Sequence, residues 1–195
     1  MPRPLDLILA ASALALASPL LLAAALAIKL ESRGPVFYRQ RRVGRNGEPF
    51  ELWKLRTMVP GAESMGAGIY VVAGDARITR VGRLLRRFSL DELPNFLNVL
   101  HGEMAVVGPR PTIQAQVDRY SERQRRRLEV KPGITGWAQV NGRASLPWPE
   151  RIELDVWYVQ NRSLWLDLRI LARTLRMLAG GHGLYSDDLK QGWAD

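Results

Sequence analysis

The chain of 195 residues reads as an α+β protein, mainly helical. It divides into an N-terminal membrane helix (1–30) and a small basic domain (31–195) with amphipathic helices suited to a membrane interface. Three features carry this reading. Leu5 to Leu30 is an apolar run whose only charges, Asp6 and Lys29, lie at its edges. Alternating residues surround Asn46-Gly47, a hairpin dipeptide. Further on, apolar residues recur at helical spacing between arginines.

As a straight helix, Leu7 to Ile28 would extend about 33 Å, enough to cross a hydrocarbon core of about 30 Å. A secretory signal usually has a shorter apolar region, and the chain that follows is basic, as cytoplasmic flanks are. Ser18-Pro19 lies near the middle, where proline removes a backbone bond and predicts a kink. Basic residues flank both sides: Arg3 ahead, then Lys29, Arg33, Arg39, Arg41 and Arg42 behind. A simple span would leave one basic flank outside, against the positive-inside tendency. A helix bent at Ser18-Pro19 that dips in and returns keeps both ends on one face. A kinked span is equally compatible with these residues, since proline is tolerated in membrane helices.

From Glu31 to Arg56 there are seven basic and three acidic residues. This collar suits lipid headgroups, or a phosphate site that includes Lys54 or Arg56. Residues 60–75, rich in Gly and small side chains, read as a flexible loop. In 77–88, Ile78, Val81, Leu84, Leu85 and Phe88 fall at helical spacing among five arginines, a basic amphipathic helix for a membrane interface. A short helix then ends near His101-Gly102, and a strand-like run leads into Gly-Pro-Arg-Pro, which holds Arg110 on a stiff extended segment. Residues 114–130 read as a polar, basic helix. Residues 131–143, with Trp137, Gln139 and Asn141, read as a shaped loop of the kind that binds ligands. Helical periodicity returns from Pro147, with Trp148, Trp157, Tyr158 and Trp165 as an aromatic cluster and Asp155 isolated among them. The tail from Gly180 reads as loose.

Composition narrows the chemistry. With no cysteine, thiolate catalysis and disulfides are excluded, and with only His101 and His182 a multi-histidine metal centre is disfavoured. Lys and Arg exceed Asp and Glu by 28 to 19, which suits an anionic partner: nucleic acid, headgroups or a phosphorylated substrate. The adjacent hydrophobic helix favours a bilayer over nucleic acid as that polyanion. Any catalysis rests on carboxylates, hydroxyls, lysines or arginines.

The carboxylates of Arg-Arg-Phe-Ser-Leu-Asp-Glu-Leu-Pro (86–94) are the focus. Ser89 and Glu92 match a capping box at a helix start. That reading leaves Asp91 unexplained, because the adjacent like charge costs repulsion a cap does not need. Pro94 would also interrupt the helix so begun.

Taken together, Ser-Leu-Asp-Glu-Leu-Pro-Asn-Phe-Leu-Asn-Val-Leu-His-Gly-Glu-Met-Ala-Val-Val-Gly-Pro-Arg-Pro, the downstream Lys-Pro-Gly-Ile-Thr-Gly-Trp-Ala-Gln-Val-Asn-Gly-Arg and the Ser-Pro hydrophobic helix resemble the bacterial sugar transferases. These are the small monotopic polyprenyl-phosphate phosphoglycosyl transferases. The resemblance covers the chain from the membrane helix to about residue 178. It implies transfer of a sugar-1-phosphate from a UDP-sugar to polyprenyl (undecaprenyl) phosphate with release of UMP. It further implies ping-pong kinetics through a covalent phosphosugar on Asp91, with Mg²⁺ held by Glu92 and Asp91. Arg86 and Arg110 match basic positions suited to phosphate, Lys54 and Arg56 match a basic Lys-x-Arg/Lys stretch for which a structural or headgroup role fits equally, and Asp155 matches a family carboxylate near the site. Ser18-Pro19 matches a helix-breaking pair, which implies a re-entrant helix with both ends cytoplasmic at the bacterial inner membrane. The chain departs from common family residues at Ala105, often serine, and at Glu103, where Asp is also common. It has no counterpart of the additional N-terminal membrane helices of the larger subgroup, the pattern of a minimal catalytic form. Expected partners are UDP-sugar, polyprenyl phosphate and membrane lipids, not nucleic acid. A homodimer is compatible with the sequence, although no motif specifies one. Neither the sugar nor the glycan pathway is legible. An inactive membrane scaffold would not need Asp91-Glu92, and a membrane-tethered phosphotransferase with soluble substrates would act without the lipid phosphate.

Overall fold

The computed structural model describes residues 1–66, 68, 71, 74–142 and 146–179. The tail from Gly180, parts of the 60–75 loop and Arg143 lie outside them. In chain order the elements are α1 (Arg3–Glu31), β1 (Phe37–Val43), β2 (Pro49–Leu55), α2 (Arg80–Arg87), α3 (Asn95–His101), β3 (Ala105–Val107), α4 (Gln114–Val117), α5 (Glu122–Arg125), β4 (Gly133–Thr135), α6 (Trp137–Val140), α7 (Trp148–Asn161) and α8 (Leu164–Ala179). The mixed, mainly helical class is the expected one. β1 and β2 pair antiparallel with Phe37 opposite Leu55, and Asn46 and Gly47 take the positive φ their turn requires. β3 and β4 pair in parallel, with Ala105 opposite Gly133.

α1 is long and apolar enough to cross a membrane. Its helical assignment continues through Ser18-Pro19. The reason is local. Proline supplies no N–H to the carbonyl of Ala15, four residues back, and the Ser18 hydroxyl donates to that same carbonyl at 2.8 Å.

Both ends of α1 pack on the domain. At the start, Arg3 donates to the Leu100 carbonyl at 3.2 Å, and Asp6 accepts the Val106 N–H at 2.9 Å. Asp6 is therefore buried, not the exposed edge charge that hydropathy alone suggests. At the other end, Ala24 and Ile28 pack against Leu55 and Leu85. Glu31 accepts the N–H groups of Arg80 and Val81 at 2.7 and 2.9 Å, capping α2. Between the two ends, Leu16, Leu20, Leu22 and Leu26 are exposed.

The main core joins Phe50, Leu52, Val99, Met104, Val106, Val107, Tyr158 and Ile170, and thus ties the hairpin, α3, β3, α7 and α8 together. A second cluster joins Val43, Val117, Tyr120, Ile152 and Val156.

Several sequence expectations change here. Residues 114–130 form α4, α5 and a 3-10 turn instead of one helix, because Tyr120 and Arg127 turn into the protein. Residues 133–140 form β4 and α6 instead of a loop. The four aromatics do not make one cluster: Tyr158 is buried, Trp157 stacks on Trp137 at 5.0 Å, Trp148 packs on the second core, and Trp165 stands exposed. The arginine helix begins at Arg80. Arg77, assigned to it from spacing, is buried against the Asp75 carboxylate and donates to the carbonyls of Ala62, Met65 and Gly68, so this loop is wrapped around a guanidinium.

Candidate active site

The chain turns sharply where α2 ends. Ser89 sits at φ 56, and a 3-10 turn of Leu90–Glu92 follows. A left-handed serine costs about 1 kcal/mol or more, so the surrounding packing holds it there. The capping box is not formed, because in this conformation the Ser89 side chain makes no capping bond to the turn. Pro94 does not interrupt a helix either. It occupies the N-cap of α3, where a missing N–H costs nothing.

This turn presents two buried carboxylates with opposite surroundings. Glu92 is 4% exposed, and its Oε1 accepts from Lys54 Nζ and Arg110 Nη2, both at 2.8 Å. Arg110 Nη1 lies 3.5 Å from Oε2. Burial alone would raise the Glu92 carboxyl. The Arg110 and Lys54 charges and hydrogen bonds outweigh it and hold the group well below the usual range. Lys54 is lowered, chiefly by burial and against the pull of Glu92.

Asp91 is 2% exposed, and its Oδ1 is buried with no hydrogen-bond donor among the described residues. Burial first, and the Glu92 charge second, push its carboxyl up to about 6, while Lys54 and Arg86 pull the other way. The adjacent groups thus divide their roles. Glu92 is a fixed anion that binds the local cations. Asp91 is a desolvated carboxylate with an oxygen left to react or to ligate.

Each basic residue is placed by its element. Lys54 comes from the end of β2. Arg86 follows Gly82 by one helical turn on α2. A Cβ at Gly82 would come 2.0 Å from the Thr57 carbonyl, so α2 lies directly on that backbone, and Arg86 Nε reaches the Thr57 hydroxyl at 2.8 Å. Arg110 stands between two prolines whose missing N–H groups leave mainly carbonyls to anchor the segment. Those carbonyls are all used: Pro109 accepts from Gly133 N–H at 2.8 Å, Arg110 from Arg127 Nη2 at 2.9 Å, Pro111 from Arg42 at 3.4 Å and Thr112 from Val43 N–H at 2.8 Å.

The structure therefore brings Asp91, Glu92, Lys54, Arg86 and Arg110 together. Arg56 and Asp155 are elsewhere. Arg56 is buried and donates to the Arg33 and Ser32 carbonyls and the Ser32 hydroxyl at 2.8–3.0 Å, fastening the end of α1 to β2. Asp155, on α7, forms a buried ion pair with Arg127 at 2.5 Å, one contact behind Arg110. Sequence reading gave no sign of Thr57 or Arg127. A buried arginine inside Arg-Gln-Arg-Arg-Arg looks like its solvated neighbours.

Among the described residues no group of three or more Asp, Glu or His could hold a metal ion. Two adjacent carboxylates, one with an orphaned buried oxygen, instead fit a cation that completes its shell with substrate phosphate oxygens and water, as Mg²⁺ commonly does.

Comparison with known proteins gives the family. The family model described as bacterial sugar transferase matches residues 1–181. An uncharacterised sugar transferase of Bacillus subtilis, EpsL, is 45% identical over 93% of this chain and 89% of its own length. The UDP-glucose:undecaprenyl-phosphate glucose-1-phosphate transferase of Caulobacter vibrioides is 49% identical over 90% of this chain and 68% of its own. The Aeromonas hydrophila UDP-N-acetylgalactosamine-undecaprenyl-phosphate N-acetylgalactosaminephosphotransferase is 43% identical over 93% of this chain, which spans only 44% of that longer protein. With the family model matched over nearly its whole length, the chain belongs to the bacterial sugar transferase family and is a transferase enzyme.

Proposed function

We propose that the protein transfers a sugar-1-phosphate from a UDP-sugar to undecaprenyl phosphate, releasing UMP, through a phosphosugar intermediate on Asp91. The observation that carries this reading is the asymmetry of the pair: Glu92 is neutralised by Lys54 and Arg110, whereas the buried Oδ1 of Asp91 has no donor among the described residues. In the first step an Asp91 oxygen bonds to the β-phosphorus while the bond from that phosphorus to the α-phosphate bridging oxygen breaks, and UMP leaves with the electron pair. In the second, a lipid phosphate oxygen attacks the same phosphorus and Asp91 is expelled as a carboxylate. A desolvated carboxylate with its pKa raised to about 6 is ionised at neutral pH and a stronger base than a solvated aspartate. That combination suits a nucleophile regenerated in each cycle. Lys54, Arg86 and Arg110 offset the charge of the diphosphate. Mg²⁺, held by Asp91 and Glu92 with the diphosphate, would add charge neutralisation at the phosphoryl group.

The placement of α1 supports a membrane-embedded, re-entrant reading. Asp6 and Ala10 near one end and Ile28 and Glu31 at the other pack on the same domain, while the apolar middle is exposed. On α2 and at its C-cap, exposed Leu84 and Phe88 lie among exposed Arg83 and Arg87, as an interfacial helix requires. Both features suit a site at the cytoplasmic face of the inner membrane, where a lipid phosphate and a soluble nucleotide sugar meet.

The test is an intact mass of the detergent-purified protein incubated with Mg²⁺ and a panel of UDP-sugars without lipid. A gain of one sugar phosphate, absent in Asp91→Asn, is expected, and the added mass identifies the sugar. Turnover at the wild-type rate by Asp91→Asn would sink the nucleophile assignment.

A further inference from the structure

We infer that Arg127 is a positioning residue for Arg110, and that Asp155 acts through it. The inference rests on the phosphoryl-transfer reading for its functional consequence and on geometry for the rest. Arg110 has a proline on each side, so neither neighbour offers an N–H to fix its backbone. What fixes the Arg110 carbonyl is the Arg127 guanidinium, at 2.9 Å from Nη2. The same guanidinium donates through Nη1 to the Tyr120 hydroxyl, and that hydroxyl lies 3.0 Å from Thr112 Oγ1. Thr112 in turn donates to Gln116 Oε1 at 2.5 Å, which orients the chain of donors from Arg127 through Tyr120 to Thr112. One buried side chain thus holds the backbone immediately before Pro111 and the side chain immediately after it.

Asp155 supplies the countercharge. Its Oδ2 accepts from Arg127 Nη2 at 2.5 Å, and both side chains are almost wholly inaccessible. A planar guanidinium meets these three acceptors, on α7, at Tyr120 and on the proline-flanked segment, in fixed directions. A lysine ammonium on a flexible stem does not. Arg127 Nε and Asp155 Oδ1 are buried with no partner among the described residues. The pair is therefore not the arrangement that hydrogen-bond economy alone would select, which agrees with its being kept for the position it imposes. At the front, Arg110 reaches Glu92 Oε1 at 2.8 Å. A shift of the Arg110 carbonyl passes directly into the reach of its guanidinium, and so into the charge that remains for an incoming phosphate.

The test compares wild type with Arg127→Lys and with the double variant Arg127→Met, Asp155→Leu, which replaces the buried ion pair by apolar side chains of similar volume. Three measurements are made on the full chain in nanodiscs: the unfolding midpoint, the guanidinium N–H signals of Arg110 by NMR, and UMP release with a UDP-sugar panel and undecaprenyl phosphate. Arg110→Ala is added in each background to complete a cycle. The expected result is a folded double variant in which the Arg110 signals, distinct in wild type because the ion pair restricts rotation, collapse toward those of a free arginine. UMP release should fall at least tenfold, and Arg110→Ala should cost little more in that background. Arg127→Lys should behave in the same way should the double variant fail to fold. Unchanged Arg110 signals in the folded variants, or a full additional loss from Arg110→Ala, would overturn the inference. Collapsed Arg110 signals together with no UMP from wild type on any donor would uphold the positioning role and reject the transferase reading, so the two fail separately.

Discussion

Replacing Asp91 by asparagine should stabilise the fold while abolishing turnover. The Asp91 carboxyl is held at about 6 against an ordinary 3.8 because it is buried beside the Glu92 charge. A carboxyl with a raised folded pKa binds its proton more tightly in the native state than in the unfolded chain. Its ionisation is therefore a penalty: absent below the unfolded value, growing from 3.8 to about 6, and fully present above. At about 1.4 kcal/mol per pH unit, that penalty is about 3 kcal/mol at pH 7.5 and roughly half as much at pH 5. Asparagine keeps the shape and removes the charge, and its own desolvation reduces the gain to about 1–3 kcal/mol. For a chain of this size the melting temperature should rise by roughly 2–12 °C. Thermal unfolding of wild type and Asp91→Asn in identical nanodiscs, followed by circular dichroism at pH 7.5, 6 and 5, measures the gap. The gap should narrow as the pH falls. A variant no more stable than wild type at pH 7.5, or a gap that does not change with pH, would refute the claim that Asp91 is a strained, desolvated anion.

The neighbouring carboxylate should respond with the opposite sign: Glu92→Gln removes the countercharge that Lys54 and Arg110 share and should lower stability by about 3–5 kcal/mol, read as a lower melting temperature in the same assay. The pH–rate profile of kcat/KM should show an acid limb near the Asp91 value of about 6, since the protonated acid does not attack phosphorus; a rate flat down to pH 5 would contradict this. Arg56→Ala, which unties the end of α1 from β2, should cost about 2–4 kcal/mol of stability while the folded protein retains its turnover at low temperature. Lost turnover at an unchanged melting temperature would instead return Arg56 to the phosphate site.

How far the sequence reaches can be followed residue by residue. The long apolar helix is legible because twenty-odd apolar residues in a row have few other uses, and the hairpin because Asn46-Gly47 supplies the positive φ its turn needs. The Asp91-Glu92 pair stands out because a capping box explains only one of two adjacent charges. These are local signals, written within a few residues of each other. Long-range pairing leaves no such mark. Burial of Arg77, Arg127 and Asp6 depends on partners supplied from the Ala62, Met65 and Gly68 carbonyls, from Asp155 on α7, and from Val106 on β3. The sequence thus determined the class, the long apolar helix and the pair of adjacent carboxylates. Only the tertiary structure decided that Lys54 and Arg110 bond Glu92, that Arg56 bonds Ser32 and Arg33 at the end of α1, and that Asp155 pairs with Arg127. Charge and hydropathy are properties of a residue, but desolvation and ion pairing belong to whatever the fold brings to within about 3 Å of it.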